Sequence, residues 1–231
     1  MNIKKPQGNY AISAVICTFN EERNLPFVLP RIPDWVDEVL LVDAYSTDNT
    51  VKIARQLLPK IKIIYQPGTG KGDAMKYGIE QTTGDIVVLL DADGQNDPQE
   101  IGEIIKPLLN GYDFSKGSRL AKGRPQDMSF RRWAGNWGIV LACDILYQKQ
   151  FTDLCSGYNA FWRKRFLDIK PWANENWGYE PLLIARVLKH KLKVKEVSQS
   201  YTKRKNGQSR LPDFTQGFTA IKVLIRERFR G

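Results

Sequence analysis

Two carboxylates spaced i, i+2 at the end of an apolar run, in Leu89-Leu90-Asp91-Ala92-Asp93-Gly94-Gln95-Asn96-Asp97-Pro98, are the residues of this chain best suited to chemistry. In an extended turn, the hard oxygens of Asp91 and Asp93, with the Gln95 amide two residues on, can converge on Mg2+ or Mn2+ and leave positions open for phosphate oxygens. A divalent ion held there stabilises a leaving diphosphate. The same decapeptide also reads as an Asp-rich turn capping the helix that Pro98 starts, and the residues alone leave both readings standing. A second stretch, Gly68-Thr69-Gly70-Lys71-Gly72, presents Lys71 at a helix amino terminus. It reads either as a diphosphate cradle or as an ordinary strand-to-helix turn. It is not a P-loop, because Tyr65 occupies the first Gly position and Gly72 the final Ser/Thr position. The one histidine, His190, falls at the basic end of an expected helix, which argues against His-dependent Ser or Cys triads.

These residues need strands to carry them. Short β-branched runs near 11–18, 38–43, 61–65 and 85–91 alternate with helical patterns over 49–58 and 72–81, and Pro98 opens a further helix to Leu109. That alternation predicts an α/β fold with a mostly parallel sheet, and ligands outside the carboxyl ends of the strands, where Asp43 and Asp91 fall. Beyond it the pattern predicts strands near 112–117, 158–163 and 193–197 and helices over 129–147, 179–189 and 213–229, with a basic loop from Lys203 to Arg210. A length of 231 residues suits one domain, read here as 1–231 with a change of function near residue 118.

Composition bounds the partners. Apolar residues make up 42% and charged residues 26%, which excludes a disordered or fibrous chain. No apolar run approaches the roughly 18 residues of a membrane span, and the amino terminus lacks a cleavage pattern, so a cytoplasmic location is expected. The net charge of +10 calls for an anionic partner. Cys17, Cys143 and Cys155 lack paired or metal-ligand spacing and read as reduced thiols.

Together, several blocks resemble family 2 glycosyltransferases: Cys17-Thr18-Phe19-Asn20-Glu21-Glu22, Val42-Asp43-Ala44 through Thr50, Gly70-Lys71-Gly72-Asp73-Ala74, Gly84-Asp85-Ile86-Val87 and Asp91-Ala92-Asp93. Later blocks, Lys116-Gly117-Ser118-Arg119, Arg131-Arg132, Thr152 to Tyr158 and Arg204 to Arg210, are similar to the polyprenyl-phosphate sugar synthases of the dolichyl-phosphate mannose synthase type. The resemblance implies a GT-A-like, Rossmann-like fold whose first half, 1–118, binds a GDP- or UDP-hexose and whose second half, 119–231, binds a polyprenyl phosphate. The transfer it implies is inverting and dependent on Mg2+ or Mn2+. It further implies that Thr18, Asn20, Glu21 and Asp43 line the nucleoside pocket, and that Asp91, Asp93 and Gln95 hold the metal. Lys71 and the Asp91-Ala92-Asp93 segment then contact the donor, Arg119 and Arg131 face the acceptor phosphate, and Arg204 and Ser209 close over the diphosphate. Two departures stand out: Ala44 replaces a second Asp that many members carry beside Asp43, and the membrane segments that many such synthases append are absent from these residues.

The chemistry of the acceptor fits the lone histidine. A phosphate monoester has a second pKa of about 6 and is already nucleophilic at neutral pH, so no His base is needed. Asp153 reads in three ways: orienting the acceptor, acting as base towards a hydroxyl acceptor, or capping the turn before Ser156-Gly157. Apolar and basic residues mix in Met128 to Trp137 and in Phe218 to Phe229. Such stretches lie on an anionic membrane surface or pack as helices with a solvated basic face; the Trp133, Trp137, Arg131 and Arg132 cluster favours the membrane for the first. A soluble sugar or polysaccharide acceptor is the alternative within the family. A nucleic-acid-binding module is disfavoured, since no recognition helix or stacking motif emerges.

Overall fold

The computed structural model describes residues 5–169, 178–207 and 213–230. Seven strands form one sheet in the order β3-β2-β1-β4-β6-β5-β7. β1 (Ile12–Thr18) lies between β2 (Glu38–Asp43) and β4 (Ile86–Asp91), parallel to both, and β3 (Lys62–Tyr65) extends β2. The near-continuous apolar sequence of β1 and β4 follows from this central position, because both faces are covered. Ile12, Ala14 and Ile16 pack on one face with Ile86, Val88 and Leu90, against α1 (Thr50–Leu57) and α3 (Ile101–Leu109). Val15, Val87 and Leu89 pack on the other, against α2 (Lys71–Glu80), α4 (Phe130–Tyr147), α6 (Tyr179–Lys189) and α7 (Asp213–Phe229). α2 approaches this face closely: a Cβ added to Gly78 would come within 2.6 Å of Val15 and 2.7 Å of Val42.

The second half breaks the parallel repeat. β6 (Asn159–Trp162) enters between β4 and β5 (Phe114–Ser118) and runs antiparallel to both, while β7 (Val194–Ser198) is parallel to β5. The cause is local: α4 ends at Tyr147, residues 148–158 make no helix or strand, and a strand that starts from the carboxyl edge must run backwards. A short α5 (Arg163–Ile169) and two 3-10 turns, Leu25–Phe27 and Leu29–Arg31, have no counterpart in the sequence pattern. The other expected elements are present with ends shifted by a residue or two.

Register gathers the functional segments. Thr18 pairs with Asp43 and Cys17 with Asp91, so β1, β2 and β4 end together. Ser118 pairs with Ser198, and Leu89 with Asn159, so β5 and β7 end at the edge where β6 begins.

Candidate active site

A cavity of about 690 Å3 opens above these strand ends. Thr18, Glu21, Lys71, Asp91, Ala92, Asp93, Gln95, Arg119, Arg131 and Arg204, all singled out from sequence, line it. Asn20, Asp43 and Asp153 do not, and Ser209 lies outside the described residues.

Asp43 is fully buried and accepts from the Thr18 hydroxyl (3.1 Å), the Ser46 amide (2.8 Å) and the Ser46 hydroxyl (2.6 Å). It therefore shapes the turn after β2 and leaves the cavity wall to Ala44 and Tyr45. Tyr45, at φ 59°, is 63% exposed and stacks on Tyr65 with ring centroids 5.3 Å apart. Asn20, at φ 55°, accepts from the Thr47 amide at 2.8 Å and ties the loop after β1 to the same turn. Both residues thus shape the loops that flank the cavity, and neither is among the residues lining it.

Within the acidic decapeptide, the roles divide. Asp97 caps the 3-10 turn Pro98–Glu100 by accepting from the Gln99 amide, while Asp91 makes no capping bond. Its carboxylate meets the Lys71 ammonium at 2.7 Å and lies over Gly157, where a Cβ would come within 2.6 Å of Asp91 Oδ2. Only a glycine fits beneath it. Burial would raise the Asp91 pKa, but the Lys71 charge and hydrogen bond outweigh it and hold the carboxyl below the usual range. Asp93 differs: burial and the neighbouring Asp91 charge push it up to about 6, against the opposing pull of the Gln95 amide, Arg204 and Lys71. The Gln95 side-chain nitrogen donates to the Tyr201 hydroxyl at 3.0 Å.

Lys71 opens α2 after Gly70, at φ 86°, and spans two carboxylates, Asp91 and Glu180, the latter at 2.8 Å. Arg204 does likewise, with Nη2 2.6 Å from Glu21 Oε1 and Nη1 3.6 Å from Asp93 Oδ2. The segment that carries it is tied down by Asn206, which exchanges hydrogen bonds with Asn24.

In the same cavity wall, Arg119 clasps Asp153 through two bonds, Nε to Oδ2 at 2.6 Å and Nη2 to Oδ1 at 2.9 Å. Asp153 is completely enclosed and also accepts from the backbone amides of Arg119 and Cys155. Burial alone would raise its pKa; Arg119 beside it brings the carboxyl down to about 2. Asp153 therefore braces Arg119 and caps the following turn, and a carboxylate this well satisfied is a poor proton acceptor. Lys116, fully buried, donates to the Ser156 carbonyl.

Glu180 was not picked out from sequence. Its signal was a single acid in the first turn of a helix otherwise buried there, Tyr179-Glu180-Pro181-Leu182-Leu183, where an unpaired charge is rarely tolerated. Gln66, which also lines the cavity, carried no such signal.

Residues 13–169 match the family model of glycosyl transferase family 2. Among similar curated proteins, a glycosyltransferase named AglJ from Haloferax volcanii is 31% identical over 202 residues, covering 85% of this chain and 65% of that one. An undecaprenyl-phosphate 4-deoxy-4-formamido-L-arabinose transferase from Pseudomonas fluorescens is 29% identical, covering 89% and 61%. The chain thus spans less than two thirds of the length of these two relatives. A dolichyl-phosphate hexose transferase from Haloferax volcanii is 29% identical over 226 residues, covering 95% and 96%. The crystal structure of glucosyl-3-phosphoglycerate synthase from Mycobacterium tuberculosis, in complex with Mn2+, UDP and glucosyl-3-phosphoglycerate, superposes with a TM-score of 0.75 at 22% identity, covering 94% and 80%. The fold is of the GT-A type.

Proposed function

We propose that this chain, which belongs to glycosyl transferase family 2, moves a hexose, mannose or glucose, from a GDP- or UDP-sugar to a polyprenyl phosphate with inversion at the sugar carbon. One observation carries the reading: a single cavity is lined both by Asp91, Asp93, Lys71 and Arg204, groups suited to a diphosphate and its ion, and by Arg119 and Arg131, further cations for a second anion. The donor side falls mainly to 1–118 and the acceptor side to 119–231, with Glu180 and Arg204 crossing over.

The donor set fits a divalent cation. Lys71 already places a positive charge on Asp91, and Arg204 approaches Asp93, so cationic groups stand where an ion would sit. Among the described residues no group of three or more His, Cys, Asp or Glu could hold a metal. Two carboxylates and the Gln95 amide oxygen would therefore hold Mg2+ or Mn2+, with diphosphate and water oxygens completing the shell, as hard cations accept. When bound, the ion supplies charge stabilisation to the leaving diphosphate.

The chain's own residues do the rest. Lys71 and Arg204 bind the diphosphate, and the Tyr45 ring offers the base a face. Arg119, fixed by Asp153, and Arg131 orient the acceptor phosphate, which needs no side-chain base because it is ionised at neutral pH. The Asp153 brace supports a phosphate acceptor over a hydroxyl one, since the hydroxyl reading relied on Asp153 as base.

Exposed apolar residues support a peripheral contact with an anionic membrane. Phe130, Trp137, Leu141 and Ile145 form a stripe along α4, and Phe218, Ile225 and Phe229 another along α7, beside exposed Lys222, Arg226 and Arg228. Among the described residues no helix is long and apolar enough to cross a membrane. Incubation with labelled GDP- or UDP-hexose, Mn2+ and either a short polyprenyl phosphate or the corresponding alcohol tests the reading. Label should enter the solvent-extractable fraction only with the phosphate; transfer to the alcohol alone overturns the acceptor assignment.

A further inference from the structure

On the donor side, four carboxylates, Glu21, Asp91, Asp93 and Glu180, share two cations, Lys71 and Arg204. The distribution is uneven in a telling way. Lys71 sits almost midway between Asp91 Oδ1 at 2.7 Å and Glu180 Oε1 at 2.8 Å, although one carboxylate would satisfy its charge. These acids belong to different elements: Asp91 ends β4, while Glu180 lies in the first turn of α6, only 9% exposed. An ion on Asp91 and an ammonium on the same oxygen repel each other, so Lys71 must either leave the site or find another anion. Leaving is disfavoured, because its α-carbon is fixed at the start of α2 against the sheet.

Resting on the divalent-cation reading above, we propose that Glu180 is a positioning residue that holds the Lys71 ammonium when a divalent cation takes Asp91. Glu180 thereby serves two ends. It frees the Asp91 carboxylate for the ion, and it keeps Lys71 beside the diphosphate, where that charge is useful. A merely structural tie between α2 and α6 would make Glu180 matter for folding but not for the cation requirement.

Calorimetric affinity of the full chain for UDP and GDP, measured at stepped Mn2+ concentrations, reads that requirement without turnover. Glu180→Gln should raise the Mn2+ concentration for half-maximal nucleotide affinity by about tenfold, the usual weight of one charge-assisted hydrogen bond. Glu180→Asp keeps the charge but withdraws it by one methylene, and it should behave like Glu180→Gln. A wild-type Mn2+ requirement in either single variant overturns the proposal while leaving the metal reading intact. Nucleotide affinity independent of Mn2+ in the wild type removes the metal reading and this proposal with it. Should Glu180→Gln not fold, Glu180→Asp alone decides: a wild-type Mn2+ requirement in it overturns the proposal.

Discussion

Arg204 closes on Glu21 across 183 residues of chain, its Nη2 atom 2.6 and 2.7 Å from the two carboxylate oxygens. The guanidinium also lies 3.6 Å from Asp93, so it stands over the acidic turn that is read here as the donor site. Binding a diphosphate adds charge-assisted hydrogen bonds to this guanidinium, worth about 1.5–3 kcal/mol. Arg204→Ala should therefore weaken UDP or GDP binding by that amount in calorimetry. Unchanged nucleotide affinity would remove Arg204 from the donor site.

The Arg119–Asp153 clasp makes a prediction about pH. The Asp153 carboxyl is depressed from 3.8 to about 2, so the folded state binds fewer protons there than the unfolded state over the interval between those values. Its contribution is present in full above about pH 4 and is lost as the pH falls towards 2, and the displacement corresponds to roughly 2.5 kcal/mol. Breaking a buried pair by removing one partner costs about 3–5 kcal/mol, of similar size. Urea unfolding of Asp153→Asn should show a loss of about 3 kcal/mol at pH 7 that narrows between pH 4 and 2. A difference that stays constant through that window would mean the clasp is not what holds Asp153 ionised.

Much of the frame was legible because its signals are local. The apolar runs ending in Asp43 and Asp91, and the helices over α4, α6 and α7, carry their own periodicity. The direction of β6 was not legible, because it depends on residues 148–158 running along the carboxyl edge rather than on any feature of Asn159–Trp162. Site roles failed where the partner is distant in sequence. Asp153 reads as acceptor-orienting group, base or turn cap, and its clasp on Arg119, 34 residues away, has no local signal; Glu180 likewise meets Lys71 across 109 residues. The bonds that turn Asp43 to Ser46 and Thr18, and Asn20 to the Thr47 amide, were not legible either, because they depend on how the loops after β1 and β2 meet.

Arg131 lines the cavity from α4 and is read here as a contact of the acceptor phosphate. Arg131→Ala should reduce product formation by about tenfold or more, the weight of one charged contact, while leaving nucleotide affinity unchanged. A parallel fall in nucleotide affinity would move Arg131 to the donor side.

The stripes on α4 and α7 predict salt-sensitive membrane binding. Anionic vesicles should recruit the protein at low ionic strength and release it as salt shortens the range of surface attraction to about 8–10 Å and below. Trp137, 60% exposed, should shift its fluorescence to the blue on binding. Equal binding to neutral vesicles, or none to either, would contradict this account of the two faces.

The roles read for the donor and acceptor residues meet in the bond that is formed. Mass spectrometry with NMR of the product from a nucleotide hexose, Mn2+ and a short polyprenyl phosphate measures it most directly. A singly charged, alkali-stable phosphodiester whose sugar carbon has the configuration opposite to that of the donor is the predicted result. A product with the donor's configuration retained, or hexose attached only to a neutral hydroxyl, would contradict it.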